Sequence, residues 1–137
     1  MRRQVNLISA IVIVVDQFTK LAARQSGVGV LNSGVAFAWL AKYQHIVYFQ
    51  ILLSVAILTL LVFLNLYGRE TWRRHWLWAG LFFGGALSNV ADRLFRGGVY
   101  DWAMIPGLQL VNNLADWAVA IGILGVIIAQ MKEQHAT

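Results

Sequence analysis

Long apolar stretches divide the sequence and predict membrane-spanning helices. A helix needs about 20 apolar residues to cross the hydrocarbon core of a bilayer. The first predicted span covers about residues 4–22, and the second covers about 43–67, which contains no Asp, Glu, Lys or Arg. The third covers about 76–94, and the fourth covers about 113–131, where Asp116 is the only charged residue. We therefore expect an all-α membrane protein with four transmembrane helices.

Two connections between the spans have patterns that favour local strands and turns. Residues 24–39 contain several glycines and alternate in VGVLNSGVAF, which predicts a short strand or hairpin lying on the membrane. Residues 95–113 contain the only proline, Pro106, followed by Gly107, which predicts a turn. We expect a small β-like element on the exterior side. Because no linker or repeat interrupts the chain, residues 1–137 are expected to form one integral membrane domain.

The composition supports this interpretation and argues against a nucleic-acid partner. Hydrophobic residues make up 59% of the chain and charged residues only 12%, whereas soluble domains carry about 25% charged residues. A soluble fold of this size buries only about two-thirds of its unfolded surface, too little to hide so much apolar area. The net charge of +5 is typical of nucleic-acid binding. However, the basic residues are scattered at the ends of apolar runs and form no stripe.

The basic residues instead predict the orientation in the membrane. Four spans place both termini on the same side, and the positive-inside rule makes that side cytoplasmic. The basic residues on that side are Arg2, Arg3, Arg69, Arg73, Arg74 and Lys132. The basic residues on the opposite side are Lys20, Arg24, Lys42, Arg93 and Arg96. The first span contains no small-residue cleavage site, so we expect it to be retained.

The absence of cysteine limits the possible chemistry. It excludes a thiol nucleophile, a disulfide and Cys-ligated zinc. The three histidines, His45, His75 and His135, are far apart and show no metal-ligand spacing. We therefore expect neither a metal nor another cofactor.

The aspartates are the strongest candidates for chemistry. Glu70 lies in the predicted cytoplasmic loop and Glu133 in the tail, whereas all the aspartates lie at or near the exterior ends of predicted spans. The aspartates are Asp16, Asp92, Asp101 and Asp116. An ionisable group at membrane depth costs at least about 2.5–3.5 kcal/mol, so it persists when it is paired or functional.

Two of the aspartates have basic neighbours one helical turn away. Lys20 follows Asp16 by four residues, and Arg96 follows Asp92 by four residues, which is the spacing of helical ion pairs. Arg93 is adjacent to Asp92. We therefore expect structural or interfacial roles for these two aspartates.

The other two aspartates lack such neighbours. Asp101 lies between Tyr100 and Trp102 with no cation within three residues. Asp116 follows Asn113 by three residues, so it has an alternative role in helix capping. Two carboxylates that share a site hold one proton between them. The charged one can take a proton from water while the neutral one protonates the substrate, which is the chemistry of an aspartic peptidase.

Four segments match the pattern of a known family. They are VDQFTK at 15–20, NSGVAFAW at 32–39, GGALSNVADRLFRGGVYDW at 84–102 and NNLADW at 112–117. In these segments the chain resembles bacterial lipoprotein signal peptidase, also called signal peptidase II. The resemblance implies four membrane helices and a catalytic pair formed by Asp101 and Asp116. The supporting polar residues that it implies are Asp16, Asn32, Asn89, Asp92, Arg93 and Asn113.

The resemblance also implies a substrate and a location. The family removes the signal peptide of a prolipoprotein, just before a cysteine that already bears diacylglycerol. We therefore expect a monomeric, multi-pass aspartyl endopeptidase of the bacterial cytoplasmic (inner) membrane, with lipidated prolipoprotein and membrane lipid as partners. The chain departs from the family pattern at Ser88, where Gly is usual, and at Asn112, where an aromatic residue is usual. The stretch between VDQFTK and NSGVAF is shorter than usual, which predicts a trimmed exterior β-element.

Two other functions are weighed against the peptidase. A non-enzymatic transporter or assembly subunit would use the aspartates for ion or proton handling. A transport path should cross the bilayer, whereas all the aspartates are predicted in one leaflet. A serine peptidase would need a Ser/Lys dyad, for which Ser33 and Lys20 are the only candidates on the same side, and nothing orients them.

Overall fold

The computed structural model describes residues 2–32, 74–105 and 110–135. Three long helices are its main elements. They are α1 (Arg2–Gln25), α2 (Trp76–Arg96) and α3 (Leu114–His135). These helices correspond to the first, third and fourth predicted spans. The predicted second span, residues 43–67, lies outside the described residues.

Two of the described helices are long and apolar enough to cross a membrane. They are residues Arg3–Gln25, with mean hydropathy 1.6, and Leu114–His135, with mean hydropathy 1.9. The 21 residues of α2 extend about 31 Å at 1.5 Å per residue, but this helix is less apolar and is not among them. Four transmembrane helices therefore stay a prediction.

The described helices expose large apolar side chains and bury charged ones, the reverse of a soluble protein. The large side chains of Val14, Phe18 and Leu124 are 67%, 69% and 57% exposed. Asp16 and Asp92, in contrast, are fully buried. Soluble proteins rarely expose extensive apolar surface, because such surface promotes association. The arrangement is therefore suited to a lipid environment, in which apolar side chains face outward and charges face other helices.

Glycines of α2 allow α1 to pack closely against it. A Cβ atom on Gly84 would lie 2.7 Å from Val12 Cβ, and one on Gly80 would lie 2.6 Å from Ile8 Cβ. Both distances are shorter than real Cβ contacts, so the two helices approach only because these side chains are absent.

Small residues also join α2 to α3. A Cβ atom on Gly122 would lie 2.6 Å from the backbone nitrogen of Phe82, and one on Gly85 would lie 3.0 Å from Val119 Cγ2. Of the three described helices, α2 therefore lies in the middle, with α1 on one side and α3 on the other. This packing brings polar side chains of all three helices together.

The first sheet joins the two connections that the sequence analysis singled out. Strand β1 (Val30–Asn32) follows α1, and strand β2 (Val99–Asp101) follows α2. The strands pair antiparallel, with Val30 opposite Asp101. Strand β1 lies within residues 24–39, and its described partner belongs to the other connection. An exterior β-element stays a prediction.

The second sheet lies directly before α3. Strand β3 (Ala103–Ile105) pairs antiparallel with strand β4 (Leu110–Asn112). This pairing agrees with a chain reversal at the predicted turn, although residues 106–109 themselves lie outside the described residues. Trp102 N–H donates to Asn112 O at 3.0 Å, which continues the pairing back to Asp101. The two sheets thus hold Asp101 near the start of α3.

Candidate active site

Asp101 is the last residue of β2, and hydrogen bonds fix both of its carboxylate oxygens. The residue is only 3% exposed. Asn32 Nδ2, from β1, donates to Asp101 Oδ2 at 2.9 Å. Asn113 Nδ2 donates to Asp101 Oδ1 at 2.6 Å. The pairing of β1 with β2 thus places an amide donor on one oxygen, and the residue before α3 places another on the second.

A glycine before β1 controls how closely this strand approaches Asp101. Gly29 has φ +104°, a conformation that side chains disfavour. A Cβ atom at this position would collide with the Asp101 carbonyl oxygen and would lie 2.9 Å from Trp102 Cα. The close approach of this turn to Asp101 therefore requires glycine.

Asp116 lies in the first turn of α3. Its Oδ1 accepts a hydrogen bond from Asn89 Nδ2 at 2.7 Å, and its Oδ2 lies 3.4 Å from the backbone nitrogen of Asn113. Its own backbone N–H donates to Asn113 Oδ1 at 3.0 Å, which is the hydrogen bond of a helix N-cap. The capping contact predicted between Asn113 and Asp116 is therefore present. Asn113 makes it while its amide nitrogen donates to Asp101.

A single asparagine links the carboxylate of Asp101 to the backbone of Asp116. Asn113 is fully buried. Its amide nitrogen binds Asp101 while its amide oxygen binds the backbone of Asp116. Asp101 and Asp116 are close enough for their charges to act on each other, and the charge of Arg93 interacts with both. We call Asp101 and Asp116, linked in this way by Asn113, the carboxylate pair.

The sequence analysis grouped Arg93 with Asp92, its neighbour in the chain. Arg93 Nη1 donates to the backbone oxygen of Asn89 at 3.2 Å. Adjacent residues point in different directions around a helix, and the hydrogen bond of Arg93 goes to Asn89, whose side chain contacts Asp116.

A second group of charges, which we call the ionic cluster, consists of Asp16, Lys20, Asp92 and Arg96. Lys20 Nζ lies 2.7 Å from Asp16 Oδ2 and 2.6 Å from Asp92 Oδ2. Arg96 also forms an ion pair with Asp92. Both ion pairs with i,i+4 spacing are therefore present. The additional pair from Lys20 to Asp92 connects α1 to α2.

The ionic cluster also positions the start of α3. Asp16 Oδ1 accepts a hydrogen bond from the backbone N–H of Ala115 at 2.8 Å, and its Oδ2 accepts one from Ser88 Oγ at 2.6 Å. Gln17 Nε2 donates to Ser88 Oγ at 2.9 Å and to Asp92 Oδ1 at 3.0 Å. Asp16 therefore satisfies an N–H group of the first turn of α3, next to Asp116, and holds that turn against α1.

Comparison with known proteins places the chain in a family. The family model for signal peptidase II matches residues 8–132. The chain belongs to the signal peptidase II family. Among its relatives, the lipoprotein signal peptidase of Helicobacter pylori strain 26695 is 38% identical over 102 residues, which cover 72% of this chain and 62% of the relative. The chain thus spans less than two-thirds of that relative. The lipoprotein signal peptidase of Rhodopseudomonas palustris is 30% identical, with 88% of this chain and 87% of the relative covered.

Solved structures support the same fold. One bacterial membrane enzyme, solved by the in meso method at 1.9 Å resolution, superposes with a TM-score of 0.78 and 25% identity, covering 93% of this chain and 92% of that one. A second bacterial membrane enzyme, solved at 2.3 Å, superposes with a TM-score of 0.71 and 24% identity, covering 93% and 87%. The signal peptidase II chain described here therefore has the fold of a membrane enzyme.

All eight residues that the family resemblance singled out lie in these two groups. Those around the carboxylate pair are Asp101, Asp116, Asn32, Asn89, Asn113 and Arg93. Those in the ionic cluster are Asp16 and Asp92. Their roles in chemistry stay predictions. Among the described residues, no group of three or more His, Cys, Asp or Glu side chains could hold a metal ion.

Sequence reasoning missed the position of Lys20. The i,i+4 spacing predicted its ion pair with Asp16, but its Nζ also donates to Asn89 Oδ1 at 2.9 Å. Lys20 therefore joins the ionic cluster to an asparagine that contacts Asp116. The sequence does contain a signal for such contacts, because Lys20 lies near the end of an apolar run. A charged side chain at that depth is costly unless it is paired. Ser33, considered as its partner in a dyad, lies outside the described residues.

Proposed function

We propose that the chain is an intramembrane aspartyl endopeptidase that removes the signal peptide from diacylglyceryl-modified prolipoproteins. One observation carries this proposal: Asp101 and Asp116 come from different elements and are held together through Asn113. Membership of the signal peptidase II family supports the substrate class. The absence of an ion pair to either carboxylate, within the described part of the chain, supports proton exchange as their role.

The proposed reaction uses the two carboxylates and one water. Two adjacent carboxylates share one proton, because full ionisation of both would place like charges side by side. The ionised carboxylate takes a proton from the water, whose oxygen attacks the scissile carbonyl carbon. The protonated carboxylate donates its proton to the carbonyl oxygen, which gives a tetrahedral intermediate. The other carboxylate then passes the proton it took from water to the leaving nitrogen. As the C–N bond breaks, the first carboxylate recovers a proton from a hydroxyl group of the intermediate. The positive charge of Arg93, which acts on both carboxylates, favours retention of one negative charge in the pair.

The membrane arrangement is part of the same proposal. The protein would cross the bacterial inner membrane four times as a monomer, with both termini in the cytoplasm and the carboxylate pair near the outer face. Two apolar helices support this arrangement, as do the basic residues of the predicted cytoplasmic loop. A reporter fused after Thr137 should report a cytoplasmic location, and an external signal would reverse the orientation. The partners would be lipidated prolipoprotein and membrane lipid, without nucleic acid or cofactor.

The decisive experiment is a cleavage assay with the purified protein. A diacylglyceryl prolipoprotein should lose its signal peptide on a gel when wild-type protein is added. Asp101→Asn and Asp116→Asn should each abolish the shift, because asparagine keeps the size of aspartate but cannot accept or donate the proton. Gln17→Met is the matched control, since Gln17 contacts Ser88 and Asp92 but neither member of the pair.

The same assay separates catalysis from helix capping. If Asp116 only favoured the start of α3, its replacement by asparagine would cost about 0.3–1 kcal/mol of stability and leave turnover largely intact. Near-normal turnover by purified Asp116→Asn protein would therefore contradict the proposed chemistry. Loss of turnover in a variant that inserts normally and still binds substrate would support it.

A further inference from the structure

Lys20 is buried and makes three polar contacts. It is only 3% exposed. Its Nζ lies 2.7 Å from Asp16 Oδ2, 2.6 Å from Asp92 Oδ2 and 2.9 Å from Asn89 Oδ1. A lysine ammonium has three N–H donors and no acceptor. All three donors are therefore used, two on carboxylates and one on an amide.

The contact with Asn89 determines the direction of that amide. The oxygen and nitrogen ends of an asparagine amide have nearly the same shape, so their hydrogen-bond partners decide which end lies where. Because an ammonium can only donate, Asn89 must present its oxygen to Lys20. Its nitrogen must then face the opposite way, where it donates to Asp116 Oδ1 at 2.7 Å. Lys20 thus makes Asn89 an obligatory donor to this carboxylate.

We propose that Lys20 is a positioning residue for Asp116, acting through Asn89 to fix an N–H donor on the carboxylate and so to favour its ionised form. A hydrogen bond donated to a carboxylate stabilises the charged state, whereas an amide oxygen facing it would stabilise the protonated state. The inference deepens the proposed function and rests on it. Lys20 itself does not contact the reacting atoms.

Without Lys20, no hydrogen bond within the described residues would hold the oxygen end of Asn89, and the amide would be free to rotate. Its oxygen would then face Asp116 and favour the protonated acid. The other charged groups near Asp116 are Asp101 on β2 and Arg93 on α2, and the charge of Lys20 also acts on it directly. Removal of Lys20 therefore withdraws a positive charge and a fixed donor together. Both changes make the carboxylate pair bind protons at higher pH.

The test compares Lys20→Met with wild type in the purified full-length protein. Methionine keeps the length of lysine but removes its donors. With a diacylglyceryl prolipopeptide, we expect kcat to fall roughly 10- to 100-fold, as when one charged hydrogen bond is lost. KM should change little. The pH profile of kcat/KM should move to higher pH. Gln17→Met, which removes a donor to Ser88 and Asp92 but none to Asn89 or Asp116, should leave the profile unmoved.

A second variant separates the relay from the stability that Lys20 provides. Asn89→Leu leaves both ion pairs of Lys20 in place but removes the donor to Asp116. It should move the pH profile in the same direction. The double variant Lys20→Met/Asn89→Leu should move the profile little beyond that of Lys20→Met alone, because the fixed donor is already lost in the single variant. If Lys20→Met does not fold, the charge-balanced variant Lys20→Met/Asp92→Asn and Asn89→Leu replace it.

The outcomes distinguish the two proposals. An unmoved pH profile in a folded Lys20→Met protein would overturn the positioning role. If no Lys20 variant folds, an unmoved pH profile in Asn89→Leu would overturn it. If Asp116→Asn were still inactive in that case, the proposed function would stand alone. Absence of cleavage by the wild-type protein would overturn the proposed function and this inference with it.

Discussion

Two groups of aspartates lie side by side in this molecule and differ in what surrounds their charges. In the ionic cluster, Asp16 and Asp92 pair directly with Lys20, and Asp92 pairs also with Arg96. In the carboxylate pair, Asp101 and Asp116 receive hydrogen bonds from asparagine amides. Within residues 2–32, 74–105 and 110–135, no Lys or Arg forms an ion pair with either of them.

This difference agrees with the proposed division between carboxylates that stabilise the fold and carboxylates that exchange a proton. An ion pair strongly opposes protonation of its acid, so a paired carboxylate stays charged and binds other helices. An amide donor fixes the position of a carboxylate with a smaller electrostatic effect. In the proposed mechanism the pair would hold one proton and pass it on, while the ionic cluster beside it would maintain the geometry.

The largest expected effect comes from removing the carboxylate pair. Asp101→Asn and Asp116→Asn should each lower cleavage roughly 10⁴-fold or more, and the double variant should be scarcely worse, because residues that act as one unit are not additive. Thermal melts in detergent should change little. Steady-state cleavage rates of the three variants measure this. A double variant whose loss equals the product of the two single losses would mean that the carboxylates act independently.

The sequence predicted the helices and the ion pairs within one helix, because both follow from local spacing. A bilayer requires about 20 apolar residues per span, and residues four apart share a helix face. Asp16 with Lys20 and Asp92 with Arg96 were therefore predictable. The capping contact of Asn113 with Asp116 follows from the same local geometry.

Contacts between elements were not predictable from spacing. Lys20 reaches Asn89 and Asp92, which are 69 and 72 residues away in sequence. Which helix faces meet depends on glycine contacts such as that between Gly84 and Val12. The pairing of β1 with β2 involves only three residues of each strand, too few for a distinctive pattern. The role of Asn32 was therefore available only from the family resemblance.

The next largest effect concerns the ionic cluster. Asp92→Asn removes a buried charge that neutralises Lys20 and Arg96, and breaking such a pair costs about 3 kcal/mol of stability. We expect the folded yield and the activity to fall together. Denaturation in detergent and specific activity per folded molecule measure the two effects. A variant that is fully stable yet inactive would move Asp92 from the structural group into the chemistry.

A smaller effect is expected from a substitution of Gly29, in the turn that approaches Asp101. Gly29→Ala forces a Cβ atom into the Asp101 carbonyl oxygen, so β2 must shift and the carboxylate must move. We expect cleavage to fall about 10-fold, because small displacements of a reacting group are costly. Gly27→Ala is the matched control, since Gly27 also has positive φ but no neighbour within 4 Å. Equal losses in both variants would attribute the effect to backbone strain alone.

The smallest effect is expected from an ion pair outside both groups. Glu133 Oε2 lies 3.6 Å from Arg74 Nη1, and the two side chains are 47% and 61% exposed. Exposed pairs contribute roughly 0–1 kcal/mol, because water already solvates both charges and salt screens them. Glu133→Gln should therefore lower stability by less than about 0.5 kcal/mol and leave cleavage unchanged. Thermal melts at low and high salt measure this difference. A loss as large as that of Asp92→Asn would mean that burial does not decide which charges stabilise this fold, and the contrast between its ion pairs would no longer explain their roles.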